Sequence, residues 1–386
     1  MERNTPLTIA FDAKRALLNF TGLGNYSRYA IEALAEYYPR NHYELYTHKL
    51  KDDSRVRHIL DIPNTTPVLP DTRMGRALPA LWRLAIGITN RLKRSDIDIF
   101  HGLSNELPFD ISRSGIPSVV TIHDLIFRRI PANYKPIDRK LYDFKFRRAA
   151  NIATRVIAIS ERTKLDLMEL YDIDPAKIDV IYQGCSPLFT SDIAPAMIQH
   201  VRNIYNLPRH YITMVGTVEQ RKNQILAVKA LPDIPREVKL VIVGRERNGY
   251  GKEIADMVQK LHLSDRVIHL TGVPTEHLPS IYNQAEIAAY PSRYEGFGLP
   301  VIEALSCGTP VIAATGSCLE EAGGAGALYV NPDSPEEFAK AACTILDDET
   351  LRNNLIEAGR THITRFNRRN FAEQVTATYR RAIESR

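Results

Sequence analysis

Short apolar runs alternate with longer amphipathic stretches along almost the whole chain. The runs are nearly continuous in Val, Ile and other apolar residues, whereas a half-buried strand would alternate apolar and polar positions. Continuous runs of this length are typical of parallel strands that are covered on both faces. They predict strands at residues 7–11, 43–47, 97–100, 118–122, 155–159, 178–182, 211–215, 239–243, 266–270, 287–290 and 310–313.

The stretches between these runs repeat apolar residues every three to four positions, which is the period of an amphipathic helix. Clear cases are residues 26–37, 161–170, 223–231, 252–261 and 336–346. Repeated alternation of strand and helix predicts an α/β fold with doubly wound sheets. The alternation restarts near Tyr211, after an irregular stretch at residues 187–208. We therefore predict two Rossmann-like domains that face a cleft, with ligands at the carboxyl ends of the strands.

The predicted domains are residues 1–186 and 187–365, and residues 366–386 add a final helical pattern. A chain of 386 residues is too long for one ordinary core, which agrees with two domains. Its 44% hydrophobic and 25% charged residues are usual for a soluble globular protein. The net charge of +5 does not indicate a nucleic-acid partner, but it suits phosphate ligands or an anionic lipid surface.

Cysteine use and apolar content predict the compartment. The cysteines are Cys185, Cys307, Cys318 and Cys343, and they form no C-x-x-C pair and no metal-binding spacing. This favours a reducing environment. The first residues carry no apolar signal core, and no apolar stretch reaches the roughly 18 residues that a membrane-spanning helix needs. We therefore expect a cytoplasmic protein that could lie on the inner face of a membrane but does not cross it.

The segment from Glu295 to Glu303, with the sequence EGFGLPVIE, carries the most chemical information. Pro300 suits the first turn of a helix, which places Glu295 on a loop and Glu303 about one turn into the helix. Gly296 and Gly298 allow a ligand to approach the backbone N–H groups closely. A helix N-terminus favours anions, and carboxylates accept hydrogen bonds from hydroxyls. The segment therefore suits a nucleotide-sugar, and a strand-turn-helix joint with two solvated glutamates is the alternative.

Two further groups lie in the first half of the chain. Gly22 and Gly24, in the sequence GLGNY, precede the first predicted helix, where a glycine pair lets a phosphate or sugar approach. Ser27 stands where the dinucleotide-binding fingerprint has its third glycine, so that motif is incomplete. His123 follows the strand at 118–122, at the end where parallel sheets present functional side chains. A plain turn and a hydrogen-bonded structural histidine are the alternatives.

The loop after the strand at 211–215 begins with Gly216 and Thr217, and it contains Arg221 and Lys222 just before a predicted helix. Adjacent cations near a helix N-terminus can neutralise a diphosphate, with the Arg acting as a fork and the Lys as a point charge. A solvated basic turn is the alternative for this loop.

In this order and spacing, the Glu295–Glu303 segment, the Gly22–Gly24 glycines, His123 and the Arg221-Lys222 pair resemble the large family of retaining glycosyltransferases with two Rossmann domains. This architecture is called GT-B, and the family includes bacterial mannosyltransferases. The resemblance covers nearly the whole chain. It implies that the first domain faces the acceptor, that the second binds the donor, and that residues 366–386 return to the first domain.

The resemblance also implies roles for single residues. Glu295 would bind hydroxyls of the donor sugar, and Glu303 would bind the ribose of the nucleotide. The remaining implied contacts are the amides of Gly296, Phe297, Gly298 and Leu299 on the sugar and diphosphate, Arg221 and Lys222 on the leaving diphosphate, His123 on the donor sugar, and Gly22 and Gly24 toward the phosphate and acceptor. Many members carry Arg where this chain has Thr217, and we expect Arg221 to supply that charge.

The function implied is retaining transfer of a hexose from a nucleotide-sugar to a glycan or lipid-linked glycan in bacterial surface-polysaccharide synthesis. The loop with Arg221 and Lys222, together with the sequence around His123, favours mannose from GDP-mannose. No metal or other cofactor is expected, because the nucleotide-sugar is a substrate. An NAD-dependent oxidoreductase, based on Gly22 and Gly24, and a two-lobed sugar-binding protein are the alternatives.

One basic segment predicts a membrane contact. No acidic residue stands between Asp71 and Asp96, while six arginines and lysines alternate with apolar residues over positions 73–94. Such a segment, with Trp82 as an interfacial anchor, could lie on an anionic bilayer. The alternative is a helix that packs Leu81, Leu84 and Ile88 on the sheet and leaves its arginines in solvent.

Overall fold

The computed structural model describes residues 5–385, apart from the side chain of Ile86, and the chain divides into two compact units. Unit 1 contains the described residues up to Gln183 together with those from Phe366 on, and unit 2 runs from Gly184 to Arg365. The division lies three residues before the predicted 186/187 boundary. Residues 1–4 and 386 of the predicted ranges lie outside the described residues.

Unit 1 is built on a parallel sheet, which has seven strands among the described residues. The strands are β1 Thr8–Asp12, β2 His42–Tyr46, β3 Thr65–Val68, β4 Ile99–Gly102, β5 Ser118–Ile122, β6 Arg155–Ala158 and β7 Ile178–Val180. Their order in the sheet is β3-β2-β1-β4-β5-β6-β7. The order changes direction between β1 and β4, and doubly wound sheets bind ligands beside the carboxyl ends of the strands at such a switch point.

Helices cover both faces of this sheet. They are α1 Lys14–Leu18, α2 Gly22–Tyr37, α3 Ser54–Leu60, α4 Arg73–Ala77, α5 Pro79–Leu84, α6 Ile86–Leu92, α7 Ile126–Arg129, α8 Pro136–Ile152, α9 Glu161–Tyr171 and α18 Arg368–Glu384. The C-terminal helix α18 packs on α2. Its Tyr379 hydroxyl also lies 2.7 Å from Nδ1 of His101 on β4, which joins the end of the chain to the first sheet.

Unit 2 repeats the architecture with a six-stranded parallel sheet. Its strands are β8 Tyr211–Val215, β9 Lys239–Val243, β10 Val267–Leu270, β11 Ile287–Tyr290, β12 Val311–Ala314 and β13 Ala327–Val330. The order β10-β9-β8-β11-β12-β13 places the switch point between β8 and β11. The helices are α10 Pro195–Tyr205, α11 Gln224–Ala230, α12 Tyr250–Lys260, α13 Leu278–Asn283, α14 Leu299–Ser306, α15 Leu319–Gly323, α16 Pro335–Asp347 and α17 Glu349–Ile363.

The predicted α/β fold with two doubly wound, Rossmann-like domains is confirmed. Every predicted strand is present within two residues of its predicted bounds. The prediction missed β3 and β13, which are both edge strands. The sequence of β3, TTPV, contains Pro67 and lacks an apolar run, whereas β13, with the sequence ALYV, is apolar and was missed nevertheless. None of the helices in residues 5–385 combines the length and apolarity needed to cross a bilayer.

The expectation of an interfacial Trp82 in residues 73–94 needs correction, and the packed-helix alternative is right only in part, since Leu84 and Ile88 are buried as predicted. The segment forms three short helices: Pro79 begins the second, and the non-helical backbone of Ala85 separates the second from the third. Trp82 is buried and stacks on Tyr46 with ring centroids 6.4 Å apart, so it cannot act as an interfacial anchor. Leu81 is 41% exposed, whereas Arg83 is buried. A paired arginine thus takes an interior position that the amphipathic pattern assigned to solvent.

Candidate functional site

The loops that follow β8 and β11 meet at the switch point of the second sheet. Gly216 directly follows β8 and has a φ of +142°, a backbone conformation that residues with an L side chain rarely adopt. Thr217 follows, and its carbonyl accepts a hydrogen bond from the Gln224 side chain at 3.1 Å. A 3₁₀ turn over Gln220–Lys222 then delivers two cations beside the loop that carries Glu295.

A four-residue ion cluster forms there. Nζ of Lys222 and Nη1 of Arg221 both lie 2.6 Å from Oε1 of Glu295. Arg221 also donates to Glu219 and to the carbonyl oxygen of Tyr294, each at 2.6 Å. The side chains of Arg221, Lys222 and Glu295 are only 10–14% exposed. The structure therefore brings together Glu295 and the Arg221-Lys222 pair, which the sequence analysis predicted in two separate segments.

Two residues that the sequence interpretation did not select complete this cluster. The Tyr290 hydroxyl donates to Oε1 of Glu295 at 3.1 Å, accepts a short hydrogen bond from Lys222, and carries a ring that Lys222 overlies. The Ser292 hydroxyl donates to the same carboxylate oxygen at 2.6 Å. Both stand within five residues of Glu295 at the end of β11, and this proximity was the available signal.

Electrostatics keep the Glu295 carboxylate ionised. Burial opposes the charge on Glu295, but Lys222 and Arg221 outweigh it and lower the pKa of that carboxyl to about 2. Burial lowers the pKa of Lys222, while Glu295 acts in the opposite direction. Burial also raises the pKa of Tyr290 well above its usual value, so its hydroxyl stays protonated. A carboxylate that accepts several charge-assisted hydrogen bonds holds its donors in one arrangement.

The turn at Gly296–Gly298 leads from this cluster into α14. Gly298 is the N-cap of the helix and has φ of +117°. A Cβ atom at Gly298 would lie 2.7 Å from Leu319 Cδ2, so both the backbone angle and the packing require glycine. Pro300 lies in the first turn, as predicted, and Phe297 is buried. The backbone thus begins a helix directly beside the ion cluster.

Glu303 stands in the second turn of α14, in surroundings unlike those of Glu295. Tyr282 donates to its Oε2 at 3.4 Å. Burial raises the pKa of Glu303 to about 7, because the Tyr282 hydrogen bond and the charge of Lys222 compensate only in part. The two carboxyls of one motif therefore differ at neutral pH: Glu295 is ionised, whereas Glu303 is close to half protonated.

A cavity of about 250 Å³ opens at the carboxyl ends of β8, β9 and β10. Gly216, Gly244 and Gly272 line it, one after each strand. A Cβ atom at Gly244 would lie 1.9 Å from the Gly216 carbonyl oxygen, so these two loops are in close contact. Of these glycines, only Gly216 was predicted from the sequence to be a site residue, although Gly244 follows an apolar strand in the same way.

In unit 1 the predicted glycine loop is wrong. Gly22 and Gly24 lie in the first turn of α2 instead of in a loop before it. A Cβ atom at Gly24 would lie 1.9 Å from the carbonyl oxygen of Asn19, whereas Gly22 has open space. Asn19 Oδ1 accepts from the N–H of Gly24 at 3.2 Å, and Gly24 thus serves the close packing of this turn. The dinucleotide-binding alternative loses the loop on which it rested.

His123 follows β5, as predicted, but it is buried, and both its ring and its backbone N–H donate hydrogen bonds. Its Nε2–H donates to the Leu103 carbonyl at 2.9 Å, and its backbone N–H donates to Asn105 Oδ1 at 2.7 Å. The Tyr26 ring on α2 packs edge-on against it, with centroids 4.5 Å apart. Burial lowers the pKa of His123 to about 4, so the ring is neutral at pH 7.

A second ion cluster, absent from the sequence predictions, lies at the switch point of the first sheet. Arg83 donates to Asp12 and to Glu106, each at 2.6 Å, and Lys145 donates to Glu106 at 3.0 Å. Arg83 is 5% exposed. Burial opposes ionisation of Glu106, but Arg83 and Lys145 outweigh it and lower the pKa of that carboxyl.

Among residues 5–385, no three His, Cys, Asp or Glu side chains are grouped so that they could hold a metal ion. The expectation that the reaction needs no metal stays a prediction.

Comparison with known proteins connects this geometry to a protein class. Residues 20–187 match the family described as Glycosyltransferase Family 4, and residues 199–362 match the family described as Glycosyl transferases group 1. Both domains of the chain are glycosyltransferase domains. These matches favour neither the oxidoreductase nor the sugar-binding alternative.

Individual relatives agree with this assignment. O-antigen chain mannosyltransferase B of Escherichia coli is 28% identical over 287 residues, which are 73% of this chain and 74% of that protein. D-inositol 3-phosphate glycosyltransferase of Corynebacterium glutamicum is 30% identical over 240 residues, which are 59% of this chain and 57% of that protein. The Anabaena HepE crystal structure with UDP and glucose superposes with a TM-score of 0.75, at 18% identity, over 97% of this chain and all of that one. The fold is therefore GT-B.

Proposed function

We propose that this glycosyltransferase moves a hexose from a nucleotide-sugar to a glycan or lipid-linked glycan, with retention at the anomeric carbon. We further propose mannose as the sugar, GDP-mannose as the donor and bacterial surface-polysaccharide synthesis as the setting. The observation that carries the proposal is the ion cluster of Arg221, Lys222 and Glu295 at the β8/β11 switch point. Ligands of doubly wound sheets bind at this position.

The difficult step is the departure of a nucleoside diphosphate, on which negative charge accumulates. Positive groups held in advance at that place stabilise the transition state without reorganisation. Glu295 holds Lys222 in one arrangement through a 2.6 Å ion pair, and Tyr290 contacts both. We assign the main phosphate contact to Lys222, because Arg221 is already bound to Glu219, Glu295 and a carbonyl oxygen.

Retention follows if bond breaking and bond formation occur on the same face of the sugar. The bond from the anomeric carbon to the diphosphate oxygen breaks, and the acceptor oxygen bonds to the same carbon from that side. The acceptor proton passes to the departing phosphate oxygen, so the step needs no protein nucleophile. Glu303 binds the ribose hydroxyls in this proposal, and Gly296–Leu299 line the sugar and diphosphate.

The name of the Escherichia coli relative supports mannose and a polysaccharide acceptor. The name of the Corynebacterium relative gives a different acceptor, inositol phosphate, so acceptors differ among related chains. HepE was crystallised with UDP, but at 18% identity that likeness speaks for the fold alone. The donor therefore has to be tested directly.

Calorimetry with GDP, UDP and dTDP, followed by slow hydrolysis assays of the matching nucleotide-sugars without acceptor, tests the donor. We expect the tightest binding for GDP and measurable release of mannose from GDP-mannose, with the α-anomer formed first if configuration is retained. Tight UDP binding without GDP binding would overturn the donor and leave the reaction class intact. Initial release of the β-anomer would overturn retention.

A further inference from the structure

One helix of unit 1 exposes apolar side chains in a regular pattern. On α8, Ile137, Leu141 and Phe144 are 78, 47 and 57% exposed. Their spacing of four and then three residues puts them on one side of the helix, as a stripe open to solvent. An interior helix would turn such a stripe toward the core, so its exposure calls for an external partner.

The stripe continues into the segment that follows β4. Phe144 packs on Phe109, with ring centroids 5.7 Å apart. The N–H of Phe109 donates to the carbonyl oxygen of Leu84, the last residue of α5, at 2.6 Å. Three more exposed apolar side chains lie in α4, in α5 and between them: Met74, Leu78 and Leu81. Phe109 thus connects α8 to the end of α5, and we call the exposed residues of α4–α6, Phe109 and α8 the basic–apolar face.

This exposure is concentrated. Of the fourteen large apolar side chains exposed in the described residues, seven lie on α8 or at positions 74–81. Contiguous exposed apolar surface marks a binding site for a protein or a membrane, whereas single exposed residues need no explanation.

Charge distinguishes between these two partners. Arg73, Arg76, Arg91, Lys93 and Arg94 are exposed, and no acidic residue stands between Asp71 and Asp96. Residues 135–148 contain six basic and two acidic side chains. Self-association through this face would bring like charges together, which is unfavourable. An anionic lipid surface complements the charge and accepts the apolar stripe at the same time.

We propose that the basic–apolar face docks on an anionic bilayer. Ile137, Leu141 and Phe144 enter the boundary between headgroups and acyl chains, and the surrounding arginines and lysines bind lipid phosphates. This proposal changes the contact predicted for residues 73–94, because α8 supplies the apolar anchor in place of the buried Trp82. It is independent of the identity of the donor sugar.

Co-sedimentation with vesicles tests the proposal. We expect the full chain to bind phosphatidylcholine vesicles that contain phosphatidylglycerol, to bind more weakly as salt is raised, and not to bind phosphatidylcholine alone. The triple variant Ile137→Ser, Leu141→Ser, Phe144→Ser should bind at least about tenfold more weakly. Lys93→Gln and Arg94→Gln should each weaken binding roughly fivefold.

The matched control is the double variant Met197→Ser, Ile204→Ser. These residues lie on α10 of unit 2, are 39 and 51% exposed, and lack the dense basic surroundings, so vesicle binding should not change. Trp82 fluorescence checks that unit 1 of the triple variant stays folded, and calorimetry with a nucleotide checks its donor site. No binding of the wild-type chain at low salt would overturn the proposal. Equal loss in the control, or altered oligomerisation of the triple variant with unchanged vesicle binding, would also overturn it.

Discussion

The two sheets hold ion clusters of the same make-up, two carboxylates and two cations, at equivalent switch points, but the surroundings of the clusters differ. In unit 2 Arg221 joins Glu219 to Glu295, and Glu295 also accepts from Lys222. In unit 1 Arg83 joins Asp12 to Glu106, and Glu106 also accepts from Lys145. The unit 2 cluster borders glycine loops and a helix N-terminus, which suit a phosphate ligand. Arg83 instead connects α5 to Asp12 at the end of β1 and to Glu106 in the segment after β4.

The difference teaches that position in the fold does not by itself separate a cluster that we propose to be catalytic from a structural one. A buried ion pair is costly to break wherever it lies, because the partner that remains keeps an uncompensated charge. What separates the clusters is the backbone that surrounds each of them. We therefore expect changes in the unit 1 cluster to affect stability and changes in the unit 2 cluster to affect turnover.

The largest effect is expected at the unit 1 cluster. Arg83→Met should lower the free energy of unfolding of unit 1 by about 3–5 kcal/mol, because Asp12 and Glu106 lose their buried counter-ion. Trp82 is the single tryptophan of the chain and adjoins Arg83, so its fluorescence in urea reports this unit specifically. The exposed Arg76→Met should change stability by no more than about 0.5 kcal/mol. If the folded Arg83→Met enzyme turned over far more slowly than wild type, this cluster would also belong to the chemistry.

Turnover should respond most at the unit 2 cluster. Lys222→Ala should lower kcat by about 10²- to 10³-fold, as the loss of a preorganised group at a developing charge does. The matched control in the same segment is Arg293→Ala, which removes a half-exposed pair with Asp333 and should leave kcat nearly unchanged. Near wild-type turnover in Lys222→Ala would remove this lysine from the mechanism.

Titration of Glu303 separates the two carboxyls of the unit 2 motif. Its pKa is raised to about 7, so the ionised form that accepts from ribose hydroxyls is lost as pH falls. Affinity for the nucleotide-sugar should drop roughly tenfold from pH 8 to pH 6, whereas Glu303→Gln should bind weakly at both. Calorimetry should use the nucleotide-sugar, because the terminal phosphate of a free nucleotide titrates near pH 6.

The same pKa has a consequence for stability. Because the folded state holds this proton above the model-peptide value of 4.5, Glu303 favours the fold at low pH. Its contribution falls as pH rises from about 4.5 to about 7 and is constant above that. Glu303→Gln should remove this part of the pH dependence. A pH-independent donor affinity in the wild-type enzyme would contradict the assignment of Glu303.

The smallest effects on stability are expected at Gly298 and Gly22, and the two effects are opposite in sign. Gly298→Ala should destabilise unit 2 by roughly 1–3 kcal/mol, because φ is +117° and Leu319 lies in the way. Gly22→Ala should be neutral or stabilise unit 1 by up to about 1 kcal/mol, because this helical position has open space. Thermal unfolding and nucleotide calorimetry on both variants check this. A loss of donor affinity in Gly22→Ala with an intact fold would restore a binding role for the first glycine pair.

Much of the fold could be predicted because the responsible signals are local. A strand that is covered on both faces must be apolar at nearly every position, and eleven strands were visible for this reason. The edge strand β3, with the sequence TTPV, does not show this pattern and was missed, whereas the missed edge strand β13 has the apolar sequence ALYV. The turn at Glu295–Gly298 was recognisable because a positive φ and a close approach demand glycine within a few residues of the carboxylate.

By itself, the sequence determined the two α/β units, eleven of their strands, the loops that carry Lys222 and Glu295, and the helix that carries Glu303. These predictions rest on periodicity, on glycine positions and on a proline near a helix start. Each of these features involves only a few neighbouring residues, so it can be recognised in the sequence alone. Only the tertiary structure decided that Arg83 is buried, that Gly24 packs on Asn19, and that Tyr290 joins the ion cluster. These outcomes depend on which distant groups meet when the sheet forms, and a buried charge takes whichever partner the fold brings within hydrogen-bond distance.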